Sequence, residues 1–135
     1  MTEALTASIR KRMPLCETLG VKAHSLTREK AVFSLDWQEK LTTGNNILHG
    51  GCIMALADAT GAAVAYENLP DDANWTSTIE SKTNFIGAVK EGTIIATATP
   101  LHVGYSTIVV ETEIRKEGKL IAKITQTQTV LRPRN

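Results

Sequence analysis

The run from Gly50 to Tyr66, GGCIMALADATGAAVAY, holds a single charged side chain, Asp58, in 17 residues. Its apolar positions recur with a helical period. Ile53, Leu56, Ala57 and Val64 form one stripe, with Thr60 as its single polar member. A threonine hydroxyl can bond back to the carbonyl one turn earlier, so burial costs it little. The opposite face (Gly51, Met54, Asp58, Ala62, Ala65) is small and apolar except for one carboxylate. A helix almost apolar all round is a buried helix. It falls short of the roughly 20 apolar residues that span a bilayer.

Strand patterns flank this helix on both sides. Val21 to Thr27 and Lys30 to Trp37 read as a hairpin, with Ala31, Phe33, Leu35 and Trp37 alternating against polar neighbours. After Pro70-Asp71-Asp72, Ser77, Ile79, Ser81, Thr83 and Phe85 alternate in the same way. Thr93 to Val103 is rich in β-branched residues. Thr107 to Arg115 and Leu120 to Leu131 flank Glu117-Gly118, a hairpin turn signal. Before all of these, Thr2 to Met13 reads as a short amphipathic helix carrying Leu5, Ile9 and Met13, ended by Pro14. A further turn from Pro14 to Leu19 closes at Gly20, and Glu39 to Leu48 is a polar loop. The order predicts an α+β chain: two strands, one central helix, then four strands in an antiparallel meander. One helix wrapped by an antiparallel sheet is the hotdog fold. Such a sheet leaves a face or an edge to cover, so a homodimer at least is expected, extending to a homotetramer built as a dimer of dimers.

At 135 residues the chain reads as one domain, residues 1–135. A net charge of +1 offers no electrostatic case for a nucleic-acid or membrane partner. Aromatic residues make up 4%, too few for base-stacking platforms. Cys16 and Cys52 lack metal-ligand spacing and fit a reducing compartment. Met1 to Leu5 lacks the basic start and apolar run of a signal peptide, so a cytoplasmic location is expected.

The densest chemical cluster is His49-Gly50-Gly51 at the mouth of the central helix. Two glycines there weaken the helix by roughly 1 kcal/mol each relative to alanine. They also let a ligand approach the free N–H groups of the first turn, which suit a carbonyl oxygen becoming an oxyanion. Plain packing of helix on sheet is the rival explanation of two glycines. Asp58 shifts the balance, because a buried carboxylate is expensive unless it is paired or working. It can serve as general base or attack a thioester carbon directly. Its rival role is an aspartate bonded to loop backbone. Asp58 lies eight residues beyond Gly50, roughly 12 Å along a helix axis, so one carbonyl cannot touch both from one helix. Acting together, they must come from two chains related by a two-fold axis.

The stretch His49-Gly50-Gly51-Cys52-Ile53-Met54-Ala55-Leu56-Ala57-Asp58 resembles the PaaI-like branch of the hotdog acyl-CoA thioesterases, in the 4-hydroxybenzoyl-CoA thioesterase superfamily. Their signature is His-Gly-Gly with an acidic residue nine positions after the His. Lys90-Glu91-Gly92 and Gly118-Lys119-Leu120-Ile121-Ala122 also fit. The resemblance implies hydrolysis of an acyl-CoA substrate without a separate cofactor or metal. Gly50 would supply the oxyanion N–H, Asp58 of the partner subunit the base or nucleophile, and His49 support for the thioester end or the loop. The family often places Asn or Gln six residues before this His, where this chain has Thr43; Asn45 or Asn46 would substitute through a shifted loop. Thr78 corresponds to a hydroxyl that orients the family's water, and Gly51 opens the substrate approach.

Other residues carry weaker signals. His24 and His102 lie in strand-like segments, as surface histidines do. Cys52 sits near a helix N-terminus, where a thiol's pKa can fall, yet it has no His-Asn partner set and reads as a packing cysteine. Lys82, Lys90 and Arg115 are candidates for coenzyme A phosphates or merely solvated cations. No Walker, Rossmann or zinc pattern occurs. A hotdog hydratase is the alternative enzyme: Asn46-x-x-His49 echoes its motif, but Gly44 stands where that motif has Asp. A non-catalytic acyl-CoA binding module is the third reading.

Overall fold

The computed structural model describes residues 2–134, leaving Met1 and Asn135, the ends of the single-domain reading, outside the described residues. The chain opens with α1 (Thr2–Arg12) and α2 (Pro14–Leu19), followed by β1 (Lys22–Leu26) and β2 (Ala31–Asp36). A loop with two single 3-10 turns, Glu39–Leu41 and Gly44–Asn46, leads into α3 (Gly50–Glu67). Then come β3 (Trp75–Phe85), β4 (Thr93–Val103), β5 (Thr107–Lys116) and β6 (Lys119–Leu131). All pairings are antiparallel, in one six-stranded sheet of order β1-β2-β4-β5-β6-β3. The sheet packs on α3, the hotdog arrangement expected from the helix pattern.

The stripe read from the sequence is the buried face. Ile53, Leu56, Ala57 and Val64 are at most 3% exposed, against Phe33, Leu35, Ile94, Ile108, Ile114 and Ile124 of the sheet. Each of the larger side chains among them (Ile, Leu, Val and Phe) contributes roughly 1.5–3 kcal/mol through removal from water. Thr60 is buried too, and its hydroxyl donates to the Leu56 carbonyl at 2.7 Å, as its place in the stripe requires. Glu117 and Gly118 both have positive φ (49° and 81°), the two-residue turn whose twist matches the strands it joins.

Two expectations are corrected. The last four strands are not a simple meander: β4, β5 and β6 are, but β3 pairs with β6 and not with its successor β4. No tight turn follows Phe85, and the chain instead crosses the mouth of α3, where the buried Val89 accepts the Leu48 N–H. The alternation Ser77, Ile79, Ser81, Thr83, Phe85 does not share one face. A bulge between Thr78 and Glu80 switches the phase, so Thr76, Thr78, Ser81 and Thr83 are the less exposed set, while Ile79 is 59% exposed. Ala65, seven residues beyond Asp58 and so on the same side of α3, is fully buried, which shows that this face is covered toward the C-terminal end of the helix.

Candidate active site

The start of α3 is built by His49. Its backbone is extended (φ −62°, ψ 134°) and its Nδ1 accepts the Gly51 N–H at 2.7 Å, capping the helix. An imidazole accepting at Nδ1 carries its proton on Nε2. The His49 carbonyl takes the N–H groups of Cys52 (2.9 Å) and Ile53 (3.2 Å). Among the described residues this leaves the N–H of Gly50 as the first-turn donor without an acceptor. Gly51 is therefore not a free donor. Its bare Cα instead admits the imidazole, since a Cβ there would sit 2.9 Å from Nδ1.

Thr43 and Gly50 line one groove of about 340 Å³ with Ile47, Ile53, Phe85 and Ile86. The Phe85 ring lies over Gly50, its Cζ 3.2 Å from where a Cβ would be. Asn46 does not join them. Its carbonyl anchors the Trp37 indole N–H at 2.9 Å, and both Asn45 and Asn46 turn the loop with φ of 60°. A larger groove of about 430 Å³, between α1 and β1, is lined by His24 but by no other candidate residue.

Two turns further along α3, Asp58 is half-buried on the face away from the core stripe. Thr78 Oγ1 donates to its Oδ1 at 2.7 Å, and Gln126 Nε2 donates to the same oxygen at 3.3 Å. Gln128 Nε2 in turn donates to Thr78 Oγ1, and the Thr76 hydroxyl donates to Gln128 Oε1 at 3.1 Å. Thr78 thus points its proton at the carboxylate. Neither Gln126 nor Gln128, both fully buried, was singled out by sequence reasoning. The available signal was phase: Ala122, Ile124, Gln126, Gln128 and Val130 lie on the inward side of one alternating strand.

The remaining candidates separate. Burial pushes the Cys52 thiol up from its ordinary value, so it is a packing cysteine and not an activated one. Arg115 is occupied by Glu113 (3.0 Å) and the Gly118 carbonyl (2.9 Å), while Lys82 and Lys90 are exposed. His24 Nε2 meets Ser34 Oγ at 2.7 Å. Among the described residues no three His, Cys, Asp or Glu side chains cluster as metal ligands, and no helix is long and apolar enough to cross a membrane.

Residues 45–123, which contain the helix mouth, Asp58 and Thr78, match the model of the thioesterase superfamily. The chain belongs to the thioesterase superfamily. It is accordingly a thioester hydrolase, which sets aside the hydratase and binding-module readings. A 1,4-dihydroxy-2-naphthoyl-CoA hydrolase of Listeria monocytogenes is 33% identical over 84% of this chain and 92% of its own. A protein of Saccharolobus solfataricus is 32% identical, covering 96% of this chain and 92% of its own length. Among solved structures, the thioesterase PA1618 of Pseudomonas aeruginosa, at 22% identity, shares the fold with a TM-score of 0.88 over 98% of this chain and 95% of its own.

Proposed function

We propose that this thioesterase hydrolyses an acyl-CoA at a site shared by two copies of the chain. The observation that carries the reading is the state of Asp58. It is a half-buried carboxylate with two donors on Oδ1 and, among the described residues, none on Oδ2. A carboxylate so held has one oxygen available for chemistry. The Gly50 N–H, roughly 12 Å away along the same helix, is the complementary half. Two antiparallel copies of α3 would set each Asp58 beside the Gly50 of the partner subunit. Supporting this, the Asp58 side of the molecule carries exposed apolar residues, Met54, Tyr66, Trp75, Ile79, Phe85 and Ile86, and β3 is an uncovered edge of 11 residues.

The thioester carbonyl accepts the Gly50 N–H, with the positive end of α3 behind it. Oδ2 of Asp58 takes a proton from water as that water attacks, or attacks the carbonyl carbon itself to form, once the thiolate has left, an acyl-aspartyl anhydride that water then hydrolyses to the free acid and the regenerated carboxylate. The tetrahedral oxyanion is stabilised at Gly50 and collapses to expel the CoA thiolate. An alkyl thiol ionises near pH 8.5, so it leaves with little acid assistance. The products are a carboxylic acid and CoA, and no further cofactor is required. The Listeria relative's substrate favours a CoA thioester with an apolar or aromatic acyl group, and the apolar lining from Ile47 to Ile86 suits one.

The test is release of free thiol from benzoyl-, phenylacetyl-, hexanoyl-, acetyl- and crotonyl-CoA, followed with a thiol-reactive dye, for wild type and Asp58→Asn. Hydrolysis of at least one thioester and a loss of about 10²–10⁴ in kcat for the variant are expected. An Asn variant at full rate, or crotonyl-CoA losing its double bond without releasing thiol, would refute the reading.

A further inference from the structure

We propose that Gln126 is a positioning residue for Asp58, selecting which carboxylate oxygen reacts, and that Gly61 is the opening in α3 that admits it. The proposal rests on the reading of Asp58 as base or nucleophile. Gln126 lies on β6 between Ser81 of β3 and Val110 of β5, fully buried under the helix. Its Nε2 reaches Asp58 Oδ1 at 3.3 Å, while its Oε1 has no hydrogen-bond partner. A buried amide oxygen without a partner is a loss that an apolar side chain would not suffer. The carboxylate explains it: turning the amide over would take the N–H away from Asp58 and set Oε1 against an anionic oxygen.

Gly61 supplies the second half. It is the worst helix former after proline, set inside an 18-residue helix. A Cβ there would stand 2.0 Å from Gln126 Oε1 and 2.5 Å from its Cδ, so no other residue can occupy the position while the amide stays. Gln128 completes the arrangement from the other side. Its Oε1 is engaged by Thr76, which turns its amide N–H to Thr78 and leaves the Thr78 proton for Asp58. Both donors therefore converge on Oδ1, and the carboxylate rotamer is set so that Oδ2 alone remains.

Steady-state kinetics on the assembled protein, with benzoyl-CoA or the panel thioester it hydrolyses fastest, test this. Gln126→Met keeps length and burial but has no N–H. It is expected to lower kcat between about 10- and 100-fold with KM within twofold, as misaimed groups do. Gly61→Ala, which needs only the amide to move, is expected to show a comparable loss, and no further loss when added to Gln126→Ala. Should Gln126→Met fail to fold, Gly61→Ala in the two backgrounds decides. Unchanged kcat in folded Gln126→Met, a change confined to KM, or a Gly61→Ala effect that persists without Gln126 overturns the proposal. Asp58→Asn, run alongside, separates the failures. An inactive Asn variant beside a full-rate Gln126→Met removes positioning alone, whereas an active Asn variant removes the reading beneath it as well.

Discussion

Gly50→Pro removes the N–H at the helix mouth, and the backbone is already shaped to accept it. Gly50 is the first helical residue, where proline's fixed φ and missing donor are tolerated. His49 before it has ψ 134°, the extended geometry that a following proline requires. The new Cβ meets only the tip of Phe85, whose side chain is 52% exposed and free to turn aside. Loss of one oxyanion donor lowers kcat by about 10²–10³, or ~2.7–4 kcal/mol of transition-state stabilisation. On the proposed mechanism Asp58→Asn is impaired at the other half of the site. When the two variants are co-expressed in equal amounts with different tags, about half of the dimers carry one chain of each kind. Every mixed dimer then has one site with both lesions and one with neither. In the proposed dimer the unfractionated mixture should return to about one quarter of wild type and the purified mixed dimers to about one half, on the order of 25- to 50-fold or more above either parent. Tandem affinity purification isolates the mixed dimers, and thiol release measures them. If purified mixed dimers are no more active than the parents, Gly50 and Asp58 do not serve the same site across an interface.

Asp58→Asn should leave folding nearly intact, because an Asn Oδ1 accepts the same bonds from Thr78 and Gln126. Weaker neutral bonds are offset by the easier burial of an uncharged group, so a melting shift within ~5 °C is expected, and a collapse of the fold would contradict the hydrogen bonding described. Burial raises the Cys52 thiol, so alkylation by iodoacetamide should be slow near neutrality and quicken with rising pH, and Cys52→Ala should keep kcat within about twofold. Rapid alkylation at pH 7 that abolishes turnover would reverse this. The Thr93 hydroxyl, 2.6 Å away, and then Lys22 hold the Asp36 carboxyl below its ordinary 3.8. A depressed folded pKa stabilises above the unfolded value, and the contribution disappears as pH falls through the folded one. Wild type should therefore melt slightly above Asp36→Asn at pH 6, the two converging as pH falls below the ordinary carboxylate range, and a gap that widens in acid would refute the assignment.

Much of the architecture was legible because it rests on local periodicity. The stripe from Ile53 to Val64, the Glu117-Gly118 turn and the β4 limits each follow from sequence neighbours alone. The partner of β3 was not. Whether β3 pairs with β4 or β6 is decided where side chains from distant segments meet, as Thr76 and Thr78 meet Gln128 across the sheet. The bulge at Ile79 defeated the alternation for a related reason. One extra residue inverts every position after it, and strand periodicity carries no mark of where that insertion falls.

The site divides along the same line. His49, Gly50 and Asp58 lie within ten residues at the cap and along one helix, so helical rise alone separates the two halves of the proposed site, which on that reading come from two chains. What holds Asp58 in place comes from positions 61, 78, 126 and 128, which only the fold brings together. Strand phase does put Gln126 and Gln128 inside, but a buried glutamine has many partners to choose from. The glycine in the helix has many explanations too. An amide oxygen without a partner, a helix without a Cβ where that amide sits, and a carboxylate bonded on one oxygen only are three departures from a good core that the proposed positioning of Asp58 explains together. A core selected for stability alone would place an apolar residue at 126 and an alanine at 61. The thermal gain of such a Gly61→Ala/Gln126→Leu variant, set against its loss of turnover, measures how much fold stability is given up to aim one oxygen.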